Sequence, residues 1–272
     1  MRAFRIAYDG TAFHGFQRQP DVRTVEDALL TSCSSLGVDA LDAGYAAAGR
    51  TDAGVSAVAQ TVAFTCPSWL SPSALNGSLP ETIRAWAFAD VPETFHPRYD
   101  AIERDYVYYL PFHRIDVSAA RAACARLEGT HDFRNLSASS TDTKRTVTHV
   151  DLASGQRVGA LTVRAPAFLH QQVRRMARLV YEVGVGSRSL ADVESLLSGV
   201  SQDGPDGVQP APPEPLLLSD VIYPDIAFTL DDRACSFAQE YFCEHADVVS
   251  GYAGVLAGIS SRLTRESDDQ YR

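Results

Sequence analysis

Runs with two-residue and 3.6-residue periodicity follow one another irregularly along this 272-residue chain. That irregularity narrows the fold more than any other feature. Strand-type runs are Phe4 to Tyr8, Val58 to Phe64, Thr82 to Phe88, Arg104 to Leu110 and Leu216 to Tyr223, with a hairpin of Thr146 to Leu152 and Arg157 to Ala165 around Ser154-Gly155. A helix from Val25 to Leu36 is opened by Thr24, with Asp27 three residues on, and closed by Gly37. Ser71-Pro72 opens a short helix, and Val117 to Leu127 forms another. From Leu169, the residues Leu169, Val173, Met176, Val180 and Val183 step by four and three, which is one face of a helix. Gly199 to Pro215 reads as a long surface loop, and the tail from Asp232 as helical, with a polar end. The order lacks the strict strand–helix–strand alternation of a doubly wound fold. The expectation is therefore α+β, in two halves each with a mainly antiparallel sheet flanked by helices. The break at His96-Pro97-Arg98 divides the chain into an N-terminal half, 1–98, and a C-terminal half, 99–272.

Composition excludes several function classes. The five cysteines form no CxxC pair, and the seven histidines are scattered without an HExxH. Neither a disulfide framework nor a metal site is expected, and the thiols read as free in a reducing compartment. No apolar run is long enough to span a bilayer, and the N-terminus alternates like a strand instead of carrying a signal sequence. A cytoplasmic protein is expected. The net charge is −10, and Lys144 is the only lysine. Such a surface repels nucleic acid in dilute salt, but at molar salt the Debye length is only about 3 Å. The balance suits a salt-accumulating cytoplasm, as in a halophilic archaeon, and leaves an RNA partner open.

The chemistry centres on Ala48-Gly49-Arg50-Thr51-Asp52-Ala53-Gly54-Val55. A carboxylate and a guanidinium stand two residues apart between glycines, which allow close approach by a ligand. An Asp so placed acts as nucleophile or base, with an arginine setting its ionised state. It serves equally as a turn former or helix N-cap, and these residues alone leave both readings open.

In context, the octapeptide resembles the catalytic motif of the TruA family of tRNA pseudouridine synthases, GRTDxGVHA. Further landmarks follow in the family's order. Tyr8-Asp9-Gly10-Thr11 through Phe16-Gln17-Arg18-Gln19 resembles its N-terminal signature. Phe95-His96-Pro97-Arg98 and Arg104-Asp105-Tyr106-Val107-Tyr108 resemble its central region, followed by Gly129-Thr130-His131-Asp132-Phe133. Phe168-Leu169-His170-Gln171-Gln172-Val173-Arg174-Arg175-Met176 resembles its C-terminal catalytic helix, and Pro210-Ala211-Pro212-Pro213 with Leu216-Leu217 its closing loop and strand. The similarity runs from about residue 2 to 225. It departs at Ser56, where the family has His, and at Gln172, where an apolar residue is usual; the tail beyond Asp225 has no counterpart.

The resemblance implies a pseudouridine synthase fold with a central active-site cleft. It implies Asp52 as the catalytic carboxylate, Tyr106 stacked on the flipped base and active in proton transfer at C5, Arg174 paired with Asp52, and Arg50 helping to open or hold the nucleotide. Phe16 and Gln17 are expected in an RNA-contacting loop. Arg175 and Arg178 are candidates for phosphate contact, with Arg188 as a further one, and solvated arginines otherwise. Tyr108 is expected to support Tyr106. No metal and no small-molecule cofactor is implied. The implied partners are tRNA and a second copy in a homodimer. The implied target is uridine on the 3′ side of the anticodon loop and adjoining stem, at tRNA positions 38, 39 and/or 40, within the motif-bearing reading above. Periodicity alone argues differently at one point. Arg174 lies about 140° from the stripe centred on Leu169, which by itself describes a solvated side chain. Two other functions compete: a non-catalytic RNA-binding or chaperone protein of the same fold, and a carboxylate hydrolase using Asp9 or Asp132 as second carboxylate.

Overall fold

A computed structural model describes residues 1–139, 141–200 and 207–269, with side chains through residue 257. Eleven strands and six α-helices are present among them. The N-terminal half carries β1 (Arg2–Tyr8), α1 (Val25–Ser35), β2 (Ala46–Ala47), β3 (Ser56–Phe64), α2 (Pro72–Asn76) and β4 (Ile83–Asp90). The C-terminal half carries β5 (Glu103–Pro111), α3 (Val117–Leu127), β6 (Gly129–Asp132), β7 (Lys144–Val147), β8 (His149–Ala153), β9 (Val158–Ala165), α4 (Gln172–Gly184), α5 (Leu190–Leu197), β10 (Leu216–Ile222), β11 (Thr229–Leu230) and α6 (Asp232–Asp269).

The α+β class stands, and its two halves share one sheet. Nine strands form it, in the order β11-β4-β1-β3-β10-β5-β9-β8, with β2 paired to β3. Pairing is antiparallel throughout except between β3 and β10, where Leu217 opposes Ser56 and Leu218 opposes Ala57. That parallel junction joins the halves. One core cluster, around Phe4, Ile6 and Phe64, packs beneath the N-terminal strands; the other, around Leu161, Met176 and Val180, packs beneath the C-terminal ones. The C-terminal part also returns across the 98/99 boundary, because β11 pairs with β4 and α6 packs against β4 and α2.

Local signals mostly hold. Thr24 caps α1 by accepting from the Asp27 amide, and Pro72 occupies the first turn of α2. Three readings shift. Helix α4 begins at Gln172, not Leu169, because Gln171 adopts a left-handed φ of 61° that interrupts the helix. Leu169 therefore packs from a turn, and it is buried all the same. The stretch from Thr146 splits, with β7 pairing β6 in a separate two-stranded sheet while β8 and β9 form the hairpin. Residues 129–132, which periodicity assigned to no element, are strand β6, whose Asp132 accepts from Thr143 Oγ1 at 2.6 Å. The loop expected from Gly199 to Pro215 falls partly on residues 201–206, outside the described residues; from Gly207 to Pro215 it holds no helix or strand. Among the described residues no helix is long and apolar enough to cross a membrane.

Candidate active site

The loop between β2 and β3 carries Asp52, and its shape is set by bonds to four other segments. Gln60 donates from Nε2 to the Gly49 carbonyl at 3.0 Å, and the Phe16 amide donates to the Thr51 carbonyl at 3.1 Å. Buried Tyr8 places its hydroxyl 2.8 Å from Thr51 Oγ1. The Gly10 amide donates to Ser56 Oγ at 3.0 Å. Ser56 thus carries a loop-closing bond. Gly10 is required by close approach, because a Cβ there would lie 2.0 Å from the Val55 carbonyl oxygen.

Helix α4 packs against α3 and β5 and turns Arg174 toward this loop. Arg174 Nη1 donates to Asp52 Oδ2 at 2.9 Å, and its Nε donates to the Ala211 carbonyl at 2.8 Å. The guanidinium is largely buried, with 12% of its side chain exposed against 25% for Asp52. The other carboxylate oxygen faces His170, whose Nε2 stands 3.5 Å from Oδ1. His170 is held from behind, its carbonyl accepting from the Ala138 amide and Ser137 Oγ.

Tyr106, on β5, forms the adjoining wall and meets Phe168 edge to face at 5.3 Å. Burial pushes its phenol up to about 12, with the negative Asp52 adding to the shift, so the hydroxyl stays protonated near neutral pH. Tyr108, two residues on, is buried on the same face and donates to the Pro212 carbonyl at 3.0 Å. Arg104 ties the walls together, donating to the carbonyls of Ala48, Arg98 and Pro166. The resulting cleft is open and is lined from both halves.

The structure brings together Asp52, Arg50, Gln17, Tyr106 and Arg174 on this one cleft. Arg50 is exposed there and forms no hydrogen bond or ion pair among the described residues. Three expected contacts differ. Phe16 borders the cleft, but its ring is only 1% exposed and packs against Tyr8, so it supports the loop from the core side. Arg175 points out of the cleft, donating to the Val208 carbonyl at 2.6 Å. Arg178 is an exposed partner of Glu182 on the next turn, at 2.6 Å. Arg188 joins the same carboxylate at 2.7 Å. These three arginines are held by the Val208 carbonyl and by Glu182. His170 and Arg104 were missed as site residues. The signal for His170 was its place in the landmark before α4; its nearness to Asp52 comes from residues 118 positions apart in sequence.

A family model described as tRNA pseudouridine synthase matches residues 123–224. A tRNA pseudouridine synthase A of Natronomonas pharaonis is 52% identical over 247 residues, covering 89% of this chain and 92% of that protein. One of Haloarcula marismortui is 49% identical and covers 97% of this chain and 100% of its own length. One of Pyrococcus abyssi is 37% identical, covering 85% and 88%. A solved archaeal box H/ACA sRNP Nop10–Cbf5 complex overlaps 64% of this chain and 44% of that chain, at 14% identity and a TM-score of 0.34. The fold assignment rests instead on the chain's own strand pairing. Near-full-length identity of this order, together with the Asp52 loop, shows that the chain belongs to the tRNA pseudouridine synthase family.

Proposed function

We propose that this chain isomerises uridine to pseudouridine in the anticodon arm of tRNA, at positions 38, 39 and/or 40, with Asp52 as the catalytic carboxylate. The observation that carries the reading is the 2.9 Å Arg174–Asp52 pair on an open cleft, joining residues 122 positions apart. A structural turn former has no need of a buried guanidinium brought from another element. The reaction breaks the C1′–N1 bond of the target nucleotide, turns the uracil, and forms C1′–C5. The C5 proton leaves and N1 gains one, so atoms and charge balance without redox change or hydrolysis. Asp52, held in place by Arg174, acts at the ribose or base. Tyr106 offers a ring face to the uracil and a neutral hydroxyl for proton transfer at C5. Arg50, exposed at the rim, holds the everted nucleotide, and Gln17 adds a polar contact. Eversion costs a few kcal/mol, which stacking and phosphate contacts offset. Two copies of the chain, in a cytoplasmic homodimer, share the tRNA.

The test is a carbodiimide–primer-extension map of unmodified tRNA incubated in molar KCl with the wild-type protein or Asp52→Asn. New stops in the anticodon arm are expected with wild type alone, while the variant keeps its fold by circular dichroism. Binding of tRNA by a folded protein without stops would replace this reading with a non-catalytic RNA-binding one.

A further inference from the structure

Tyr99 stands out on the wall of the cleft. Among the described residues it is the most exposed large apolar side chain, at 74%, and the others that stand out in water lie away from the cleft. A single exposed aromatic is ordinary. This one is backed and fixed. Its ring rests on that of His96, with centroids 4.4 Å apart and a tilt of 41°. The segment beneath is clamped at three successive carbonyls. That of His96 accepts from the Tyr99 and Asp100 amides, that of Pro97 from the Tyr223 hydroxyl at 2.6 Å, and that of Arg98 from Arg104 Nη2 at 2.6 Å. The His96 ring accepts from the Arg98 amide through Nδ1 at 3.1 Å, which fixes its orientation and leaves the ring proton on Nε2. Arg104 also donates to the Ala48 carbonyl, so one guanidinium ties this aromatic pair to the start of the Asp52 loop. A ring held in this way gives up little freedom when a planar ligand stacks on it.

The surroundings identify the ligand. Arg98 Cζ stands 5.8 Å from the Tyr99 centroid. Like Arg50, Arg98 is exposed on the cleft, and its side chain forms no hydrogen bond or ion pair among the described residues. An aromatic face with uncommitted cations beside it fits a nucleobase and its phosphate. Eversion of a target uridine takes one stacking partner from the base next to it. Tyr99 offers a replacement face on the same cleft. Stacking also outlasts phosphate contact in molar salt, and for a chain of net charge −10 it is the more durable source of affinity.

We propose that Tyr99, backed by His96, is a second stacking site that takes the nucleobase adjoining the target uridine, while Tyr106 takes the target itself. The inference rests on the pseudouridine-forming reading above and makes the adjoining nucleotide a determinant of which uridine reacts. Tritium release from C5-labelled tRNA in molar KCl tests it with wild type, Tyr99→Ala and Tyr99→Phe. The tRNA is used intact or with one abasic nucleotide on either side of the modified uridine. Tyr99→Ala is expected to lower kcat/KM about tenfold on intact tRNA, through KM, and Tyr99→Phe to stay within about twofold of wild type. One of the two abasic tRNAs is expected to cost wild type the same factor and to cost Tyr99→Ala nothing more. An unaffected Tyr99→Ala overturns the proposal, as do losses that multiply at both positions. Fluorescence reads the site without turnover, using 2-aminopurine at each flanking position. At one of them, quenching is expected with wild type and Asp52→Asn, and not with Tyr99→Ala. Quenching that ignores Tyr99 at both positions overturns the site. Quenching that depends on Tyr99, in a wild type that releases no tritium, would strike the catalytic reading and leave the stacking site standing.

Discussion

Arg174 shows how a residue's role depends on what stands opposite it. On an isolated helix its position, well away from the Val173–Met176–Val180 stripe, would leave it in water. In the folded chain two acceptors converge there, the Ala211 carbonyl and the Asp52 carboxylate, and the guanidinium reaches both at once. A lysine carries the same charge on a single nitrogen and cannot span this fork. Arg174→Lys is therefore expected to keep the fold and to lower the single-turnover rate of pseudouridine formation by roughly 100-fold. Tritium release from C5-labelled tRNA measures it, and a rate within a few-fold of wild type would show that charge alone suffices. The neighbouring Arg175 and Arg178, alike in sequence, are instead taken up by the Val208 carbonyl and by Glu182.

At the scale of elements, the Asp52 loop holds its shape through close approach more than through its own residues. Gly49 and Gly54 look equivalent in the motif, yet they are not. Around Gly49 a Cβ would meet nothing within 4 Å, whereas Gly54 has φ +83° with Pro213 Cγ only 2.9 Å from its would-be Cβ. The tightest point lies outside the motif, at Gly10, against the backbone of Val55. Gly10→Ala is expected to cost about 1–3 kcal/mol by overpacking, and to slow catalysis by displacing the loop. Gly49→Ala is expected to fold as wild type. Urea denaturation of the two variants separates them, and equal midpoints would contradict this account. Helix α5 illustrates a different limit. Its apolar spacing is short, but Ser189 and Asp192 form a capping box, a signal present in the sequence that went unread.

Across the whole molecule, one sheet carries both cores, and tyrosines sit along its junction. Burial pushes the phenols of Tyr106, Tyr108 and Tyr223 up to about 12, and Tyr8 higher still. Each holds its proton in the folded state through a range where an unfolded tyrosine, near pH 10, has lost it. The folded state then binds more protons, so this contribution is complete below about pH 10 and is lost as pH rises from there through about 12. With Lys144 as the only lysine, little lysine titration overlaps that window. The melting temperature is expected to begin falling near pH 8.5, where unfolded thiols lose protons that burial keeps on Cys33 and Cys124, and to fall more steeply above about pH 10, with phenolate absorbance rising as the protein unfolds. Phenolate absorbance that accounted for all eleven tyrosines near pH 10 without loss of structure would refute the assignment.

By itself the sequence determined the local elements and the family. Periodicity comes from backbone geometry that every residue carries, so Arg2–Tyr8, Val25–Ser35 and Val117–Leu127 were legible within a residue or two at most ends. The motif around Asp52 was legible because it is a short contiguous run of distinctive residues. Tertiary structure alone decided what meets across long separations. It joined the two halves through the β3–β10 pairing, brought His170 to Asp52, turned Phe16 into the core and drew Arg175 and Arg178 away from the cleft. Such contacts depend on how separately formed elements pack, and a side chain's neighbours in space are not encoded in the spacing of its neighbours along the chain.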